Sequence, residues 1–170
     1  TIVIDPYTQP TRWQTREQVE QTAELLNAAA QIAEGRGLRV GYHNHGHELE
    51  ANIDGQTGLE LLASLLDPRV VLEVDLYWAA RAGVDPVALV ERLGSRVVAV
   101  HVKDGTLDAE AIKAYPPADQ VPAGEGVVPL AQAIAALPGL EYAIVEFDHF
   151  NGDLFDAIET SREFLDGDNA

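Results

Sequence analysis

Four apolar runs in this chain each end in two ionisable side chains spaced two residues apart. They are His43 and His45 after LRVGY, Glu73 and Asp75 in VVLEVD, His101 and Lys103 in VVAVHVK, and Glu146 and Asp148 in YAIVEFD. Residues i and i+2 of a β-strand share a face, so each pair points to one side of its strand. The alternate residues are apolar: Val40 and Tyr42; Val70, Leu72 and Val74; Val98, Val100 and Val102; Ala143, Val145 and Phe147. A parallel strand is buried on both sides, so these are expected to face a layer of helices. The charged pairs then face the other way, near the carboxyl ends of their strands. Polar groups converging there are how an α/β barrel builds an active site.

Composition narrows the function classes. The chain has 170 residues, 46% of them apolar, enough for one sizeable core. No apolar run approaches the ~20 residues of a membrane span, and no signal-peptide pattern is present. With no Cys, disulfides and thiolate metal sites or nucleophiles are excluded. The lack of Cys leaves the compartment open, with the cytoplasm the default, and no membrane partner is expected. A net charge of −17 repels phosphate backbones, so nucleic acid is not an expected partner. The chain also lacks Met and opens directly in Thr1-Ile2-Val3-Ile4, from which processing or a missing amino-terminal part is expected.

Strand-like and helix-like segments alternate throughout. TIVID precedes Thr15-x-x-Gln18, a capping box, and a stripe of Val19, Ala23, Leu26, Ala30 and Ala33 with helical spacing. LRVGYH leads to a second capping box, Thr57-x-x-Glu60, and a helix ending at Asp67-Pro68. VVLEVDLYW reads as a strand, and Asp85-Pro86 as the cap and first residue of the next helix. VVAVHVKD, a loop rich in Pro and Gly, a helix near Pro129, YAIVEFD and a helix from about Asp153 to Leu165 complete the order. Five β-α repeats fit either a doubly wound sheet or a barrel. Polar pairs on four strands, rather than at one switch point, favour the barrel, as does the lack of a Gly-rich phosphate loop after any strand.

The strand-end groups Glu48, Asp75, His101 and Glu146 would place three carboxylates and one imidazole at one point, an arrangement that calls for a cation. Oxygen-rich donors with one His suit Mn²⁺, Mg²⁺, Co²⁺ or Zn²⁺. The segments His43-Asn44-His45-x-x-Glu48, Asp75-x-x-Trp78 with Gly83, His101-x-Lys103-Asp104, Gly124-x-Gly126 and Glu146-x-Asp148 resemble, in order and over nearly the whole chain, the sugar phosphate isomerase/epimerase family. These are xylose-isomerase-like (β/α)₈ TIM barrels, related to inosose dehydratase and ketose 3-epimerases. The resemblance implies one bound divalent metal ion, Mn²⁺ first, held by Glu48, Asp75, His101 and Glu146, with Glu50 a competitor for the first place. The sequence departs from the usual motif at Gly46 and His47, which puts local substrate contacts in doubt. Matching begins at the family's fourth strand, so residues 1–170 are expected to form one barrel domain holding about five carboxyl-terminal βα units, without the first three. Its two unpaired strand edges invite association, including a homo-oligomer.

The expected chemistry is proton transfer next to the carbonyl of a keto-sugar or cyclitol, giving isomerisation or epimerisation. Glu48 and Glu146 would be the acid–base pair, and Lys103 would stabilise the oxyanion. Lys103 pairing with Glu73 or Asp104 is an equal alternative. His43, His45, Trp78 and Lys103 are candidate substrate contacts, though one histidine could instead orient a neighbour, and Trp78 could simply cover the barrel mouth. Glu73 is expected to sit deeper and serve structure; Tyr77, Asp148 and His149 receive no role. With only two Lys in the chain, a neutral substrate is favoured over a phosphorylated one. A keto-cyclitol lyase and a non-catalytic binding or subunit module are the alternatives; the acidic charge speaks against a barrel nuclease.

Overall fold

A computed structural model describes residues 1–5 and 8–167. Its main sheet has five strands, β1 (Ile2–Asp5), β2 (Arg39–His43), β3 (Val70–Asp75), β4 (Val97–Val102) and β5 (Tyr142–Val145), lying side by side in chain order. Every adjacent pair is parallel. A doubly wound sheet would reverse its order at a switch point. Here each strand lies beside its predecessor, so the sheet winds in one direction, as the wall of a (β/α) barrel does.

The helices begin where local chemistry prescribes. Thr15 and Gln18 close a capping box on α1 (Arg16–Glu34), and Thr57 and Glu60 close another on α3 (Gly58–Leu65). Between them lies α2 (His47–Glu50), a single turn that apolar periodicity is too coarse to reveal. Asp85 caps α5 (Pro86–Leu93), accepting from the Val87 and Ala88 N–H groups. After α6 (Leu130–Ala135), Asp153 caps α7 (Leu154–Asp166). The buried stripe of α1, including Val19, Ala23, Leu26, Ala30 and Ala33, packs in one core with Val40, Tyr42, Val70, Leu72, Val74, Val100 and Val102.

Two expectations need correction. Val98 was to face the helices, but it joins Val71, Ala99 and Ile2 on the opposite face of the sheet. The register with β3 slips, Leu72 pairing with Val97 but Glu73 with Ala99, and the extra residue of this bulge reverses the facing of Val98. The strand expected over VVLEVDLYW stops at Asp75. The Asp75 carboxylate accepts the Trp78 N–H at 2.9 Å and so caps a short helix, α4 (Leu76–Arg81), on the end of β3.

Beyond β4, one buried carboxylate organises the loop at the sheet's carboxyl end. Asp104 Oδ1 accepts N–H bonds from Gly105 and Val128, and Oδ2 accepts from Gly124 and Gly126, all at 2.9 to 3.1 Å. Asp104–Gly105 also pairs with Gln120–Val121 in a short antiparallel ribbon. At Gly126 a Cβ would lie 2.1 Å from Asp104 Oδ1 and 2.6 Å from the Gly105 carbonyl oxygen. The Gly124-x-Gly126 motif is therefore a close backbone approach to a carboxylate. Gly126→Ala is expected to cost about 1–3 kcal/mol by overpacking, and Asp104→Ala more than about 3 kcal/mol through orphaned N–H groups. Gly139→Ala, whose Cβ would meet nothing within 4 Å, should stay within about 0.5 kcal/mol of wild type. Urea unfolding of the three variants checks this order.

Candidate active site

At the carboxyl end of the sheet, β2, β3 and β4 bring His43, Asp75 and His101 together, with one potential ligand atom of each lying within 4.8 Å of the others. Backbone and side chain both set this. Asn44, fully buried between His43 and His45, accepts the Asp75 N–H at 3.1 Å and ties the end of β2 to the end of β3. Glu73, one alternation below Asp75, places Oε1 3.1 Å from His43 Nδ1 and 3.2 Å from His101 Nε2, bridging two rings whose centroids are 4.4 Å apart. On the far side of the His101 ring, Glu146 Oε2 lies 3.5 Å from Nδ1.

Lys103 is the counter-charge. Its ammonium lies 3.0 Å from Asp75 Oδ2, donates to Asp148 Oδ2 at 2.8 Å and contacts the Glu146 carboxylate. Of the two partners expected for it, neither is used: Asp104 is occupied by the loop, and Glu73 by the histidines. Asp148 faces the same way as Glu146 and belongs to the site. It receives no role from the sequence, although its i, i+2 pairing with Glu146 is the signal that could have found it.

The charges explain one another. Burial disfavours a charged His101, but Asp75, Glu146 and Glu73 outweigh burial and push its pKa up to about 11. Burial likewise opposes ionisation of Asp75, yet Lys103 and His101 hold it well below the ordinary carboxylate range. Glu73 is brought down to about 2 against its own burial by His101 and His43. Four carboxylates (Glu73, Asp75, Glu146 and Asp148) therefore share two cations, His101 and Lys103. A divalent ion on the His101 ring would displace that ring's proton, leaving four carboxylates against Lys103, and would itself offset two of the three remaining negative charges. His43 Nδ1, Asp75 Oδ2 and His101 Nδ1 are buried against Glu73, Lys103 and Glu146. The three side chains supply two imidazoles and a carboxylate within reach of one another, a donor set that suits a divalent ion. The residues fit a metal ion held by two imidazoles and one carboxylate, with Glu146 beside them.

Of the four expected ligands, Asp75, His101 and Glu146 meet here, while Glu48 faces elsewhere. It is fully buried, Oε1 accepting from the Tyr42 hydroxyl at 2.6 Å and Oε2 from the His45 N–H at 2.9 Å. Burial raises its pKa. It sits one helical turn past β2, whereas His43 ends the strand itself and takes the place in the cluster. Glu50, the competitor, is exposed on α2.

A row of rings runs from the cluster to the mouth. His43 and His45 are 5.0 Å apart, His45 and Trp78 6.0 Å, and Trp78 and Tyr115 6.5 Å between centroids. Burial and the neighbouring His43 hold the His45 pKa down at about 4, so its ring is neutral at neutral pH. Arg81 lies 5.0 Å over the Trp78 ring and donates to the carbonyls of Ile112 and Ala114, just before Tyr115. Behind it the Tyr77 hydroxyl donates to Asp119 Oδ1 at 2.7 Å, a structural tie that no spacing in the sequence signalled.

The model of the xylose isomerase-like TIM barrel family matches residues 2–167. Inosose dehydratase of Geobacillus kaustophilus is 32% identical over 91 residues, 53% of this chain and 29% of that protein. Inosose dehydratase 2 of Bacillus cereus is 29% identical over 91 residues, 53% of this chain and 30% of that protein. A sugar phosphate isomerase/epimerase from Parabacteroides distasonis superposes with a TM-score of 0.77 at 22% identity, covering 96% of this chain and 58% of that one. The IolI protein, solved with a binding zinc atom, gives a TM-score of 0.73 at 16% identity, covering 97% of this chain and 61% of that one. At those identities the structural likeness speaks for the fold alone. The matched stretch spans less than a third of each of these two dehydratases.

The His101 shift sets a pH dependence for the metal-free protein. Its folded pKa of about 11 stands above the ordinary 6.5, so the stabilisation from its charge is complete below about pH 6.5 and is lost as pH rises toward 11. In chelator, wild type should lose stability between about pH 6.5 and 10, and His101→Asn should lose much less over that window. Denaturant titrations at stepped pH check this; a gap between wild type and variant that widens with pH would contradict it.

Proposed function

Because this chain belongs to the xylose isomerase-like TIM barrel family, we propose that its strand-end cluster catalyses proton transfer at the carbon next to the carbonyl of a neutral keto-sugar or cyclitol. The observation that carries the proposal is the convergence of His43, Asp75 and His101 on one spot, with Lys103 and Glu146 at its rim. His43, Asp75 and His101 would hold a divalent ion, Mn²⁺ first, with Glu146 adjacent. When bound, such an ion supplies Lewis-acid polarisation of the substrate carbonyl.

The remaining chemistry belongs to the side chains. Glu146 is the least buried of the clustered carboxylates, its side chain 36% exposed, and so it is the one a substrate can reach. Burial opposes its ionisation, but His101 and Lys103 lower its pKa and keep it charged, ready to accept the α-proton. The Lys103 ammonium faces the negative charge that then develops on the carbonyl oxygen. Neutral His45 and the Trp78 ring line the approach, where a polyol offers hydroxyls to one and an apolar face to the other. Glu146 then returns the proton to the neighbouring carbon in an isomerisation, as that carbon's hydroxyl proton moves to the former carbonyl oxygen, or passes it to a departing hydroxyl, leaving as water, in a dehydration. In an epimerisation the original carbon takes a solvent proton on the opposite face. Glu48, buried and bonded to Tyr42 and His45, is assigned to supporting the end of β2.

Both outcomes share the first step, so the substrate decides the class. Isomerisation or epimerisation is the first reading. The dehydratase reading draws on the inosose dehydratases that this chain resembles over half its length. The absence of a basic cluster among the described residues of the site supports a substrate without phosphate.

Incubation with Mn²⁺ and an inosose or a ketohexose in deuterated water tests the proposal. Deuterium wash-in without new ultraviolet absorbance denotes isomerisation or epimerisation, and a conjugated enone denotes dehydration. Glu146→Gln should lower kcat by about 10²–10⁴-fold. Lys103→Met should fall by about 10²–10³-fold, the range for loss of one oxyanion donor. Wild-type activity in a folded Glu146→Gln protein would remove Glu146 from the reaction.

A further inference from the structure

We infer that Gln120 is a positioning residue that sets the Lys103 ammonium against the reacting atoms, acting through Asp148. This rests on the proposed role of Lys103 in the reaction. Gln120 lies on the short ribbon after β4 and is 5% exposed. Its side-chain hydrogen bonds among the described residues cross to the segment just beyond β5, 28 and 29 residues away. Its Oε1 accepts the Asp148 N–H at 2.8 Å and the His149 N–H at 3.2 Å, and its Nε2 donates to Asp148 Oδ2 at 2.7 Å. That same Oδ2 accepts from Lys103 Nζ at 2.8 Å.

The residue type follows from this arrangement. Two backbone donors meet one end of the side chain, and a carboxylate meets the other. Only a group carrying an acceptor and a donor side by side satisfies both, and a primary amide on a stem of this length does so. A glutamate would keep the two backbone bonds but face Asp148 with a second negative charge. A leucine would fill the volume, orphan two N–H groups and leave the Asp148 carboxylate free to turn.

The consequence reaches Lys103 because, of the three carboxylates around its ammonium, Asp75 alone is held by a rigid element. A lysine is a point charge on a flexible stem, and its place is set by the carboxylates around it. Asp75 is fixed by its helix cap and by Asn44, whereas Glu146 and Asp148 lie where β5 gives way to a loop. Gln120 is the tie that pins that loop to the ribbon after β4. The ribbon itself is anchored by the four N–H bonds to Asp104. Position thus passes from Asp104 to the ribbon, to Gln120, to Asp148 and to the ammonium. Gln120 touches none of His43, Asp75 or His101 through these bonds, so its loss should leave their affinity for a cation nearly intact.

The chain's two lysines, Lys103 and Lys113, make a direct test possible. Lys113 is exposed and pairs with Glu110, while Lys103 is 2% exposed. In metal-free protein labelled with ¹⁵N at lysine Nζ, the Lys103 signal should be sheltered from water exchange and resolved from that of Lys113. In both Gln120→Leu and Gln120→Glu it should shift or broaden, with Lys113 unmoved. With an inosose or ketohexose that wild type turns over, kcat should fall by about 10- to 100-fold, the range for loss of a supporting partner, while KM stays within about threefold. An unmoved Lys103 signal in either folded variant overturns the inference, whatever the turnover. A displaced signal with unchanged kcat upholds the positioning role and overturns instead the reading of Lys103 as a participant in the reaction.

Discussion

The structure depends on holding four carboxylates together at the carboxyl end of a buried parallel sheet. Alone they would repel one another and pay heavily for leaving water. Lys103 resolves most of that conflict, bridging Asp75, Glu146 and Asp148, and His101 resolves more by staying protonated between Asp75, Glu146 and Glu73. The balance still leaves an excess of negative charge. A buried, undercompensated cluster of this kind is a poor device for stability and a good one for drawing in a cation.

Much else in the chain serves to keep that cluster in place. The capping boxes on α1 and α3 start the helices that cover Tyr42, Leu72 and Val74, so the opposite faces of β2 and β3 are fixed inward. Asn44 joins β2 to β3, Asp104 gathers the loop after β4, and Gln120 ties that loop to the end of β5. Each tie is a buried polar group with its partners supplied locally, and each joins segments distant in sequence. Rigid elements thus carry the reactive side chains, while Trp78 and Tyr115 close the mouth from α4 and a tethered loop.

The repeating β-α order, both capping boxes, the cap of α5, the start of α7 and the inward-facing pairs were legible in the sequence, because each depends on neighbours within a few residues. Asp75, His101 and Glu146 could be placed near one another for the same reason: alternation along a strand fixes which face each uses. What alternation cannot reveal is a change of parity or of element. The bulge between β3 and β4 reversed Val98, and the cap made by Asp75 turned the tail of an expected strand into α4. Glu48 illustrates the limit most clearly. It follows the strand by one helical turn, and the direction of that turn sends it toward Tyr42 while His43 faces the cluster. Gln120 left no trace at all, since an isolated amide in a loop carries no periodic signal.

The central claim is that the ends of β2, β3 and β4 make one cation site with the side chains His43, Asp75 and His101. Titrating Mn²⁺ into chelator-stripped protein by calorimetry tests it most directly, with wild type compared against His43→Asn, Asp75→Asn, His101→Asn and Glu48→Gln. The account predicts one ion per chain and loss of more than about 100-fold in affinity for each of the first three variants, beyond the range for supporting residues, with less than about tenfold for Glu48→Gln. Undiminished binding in His43→Asn together with collapse in Glu48→Gln would contradict it.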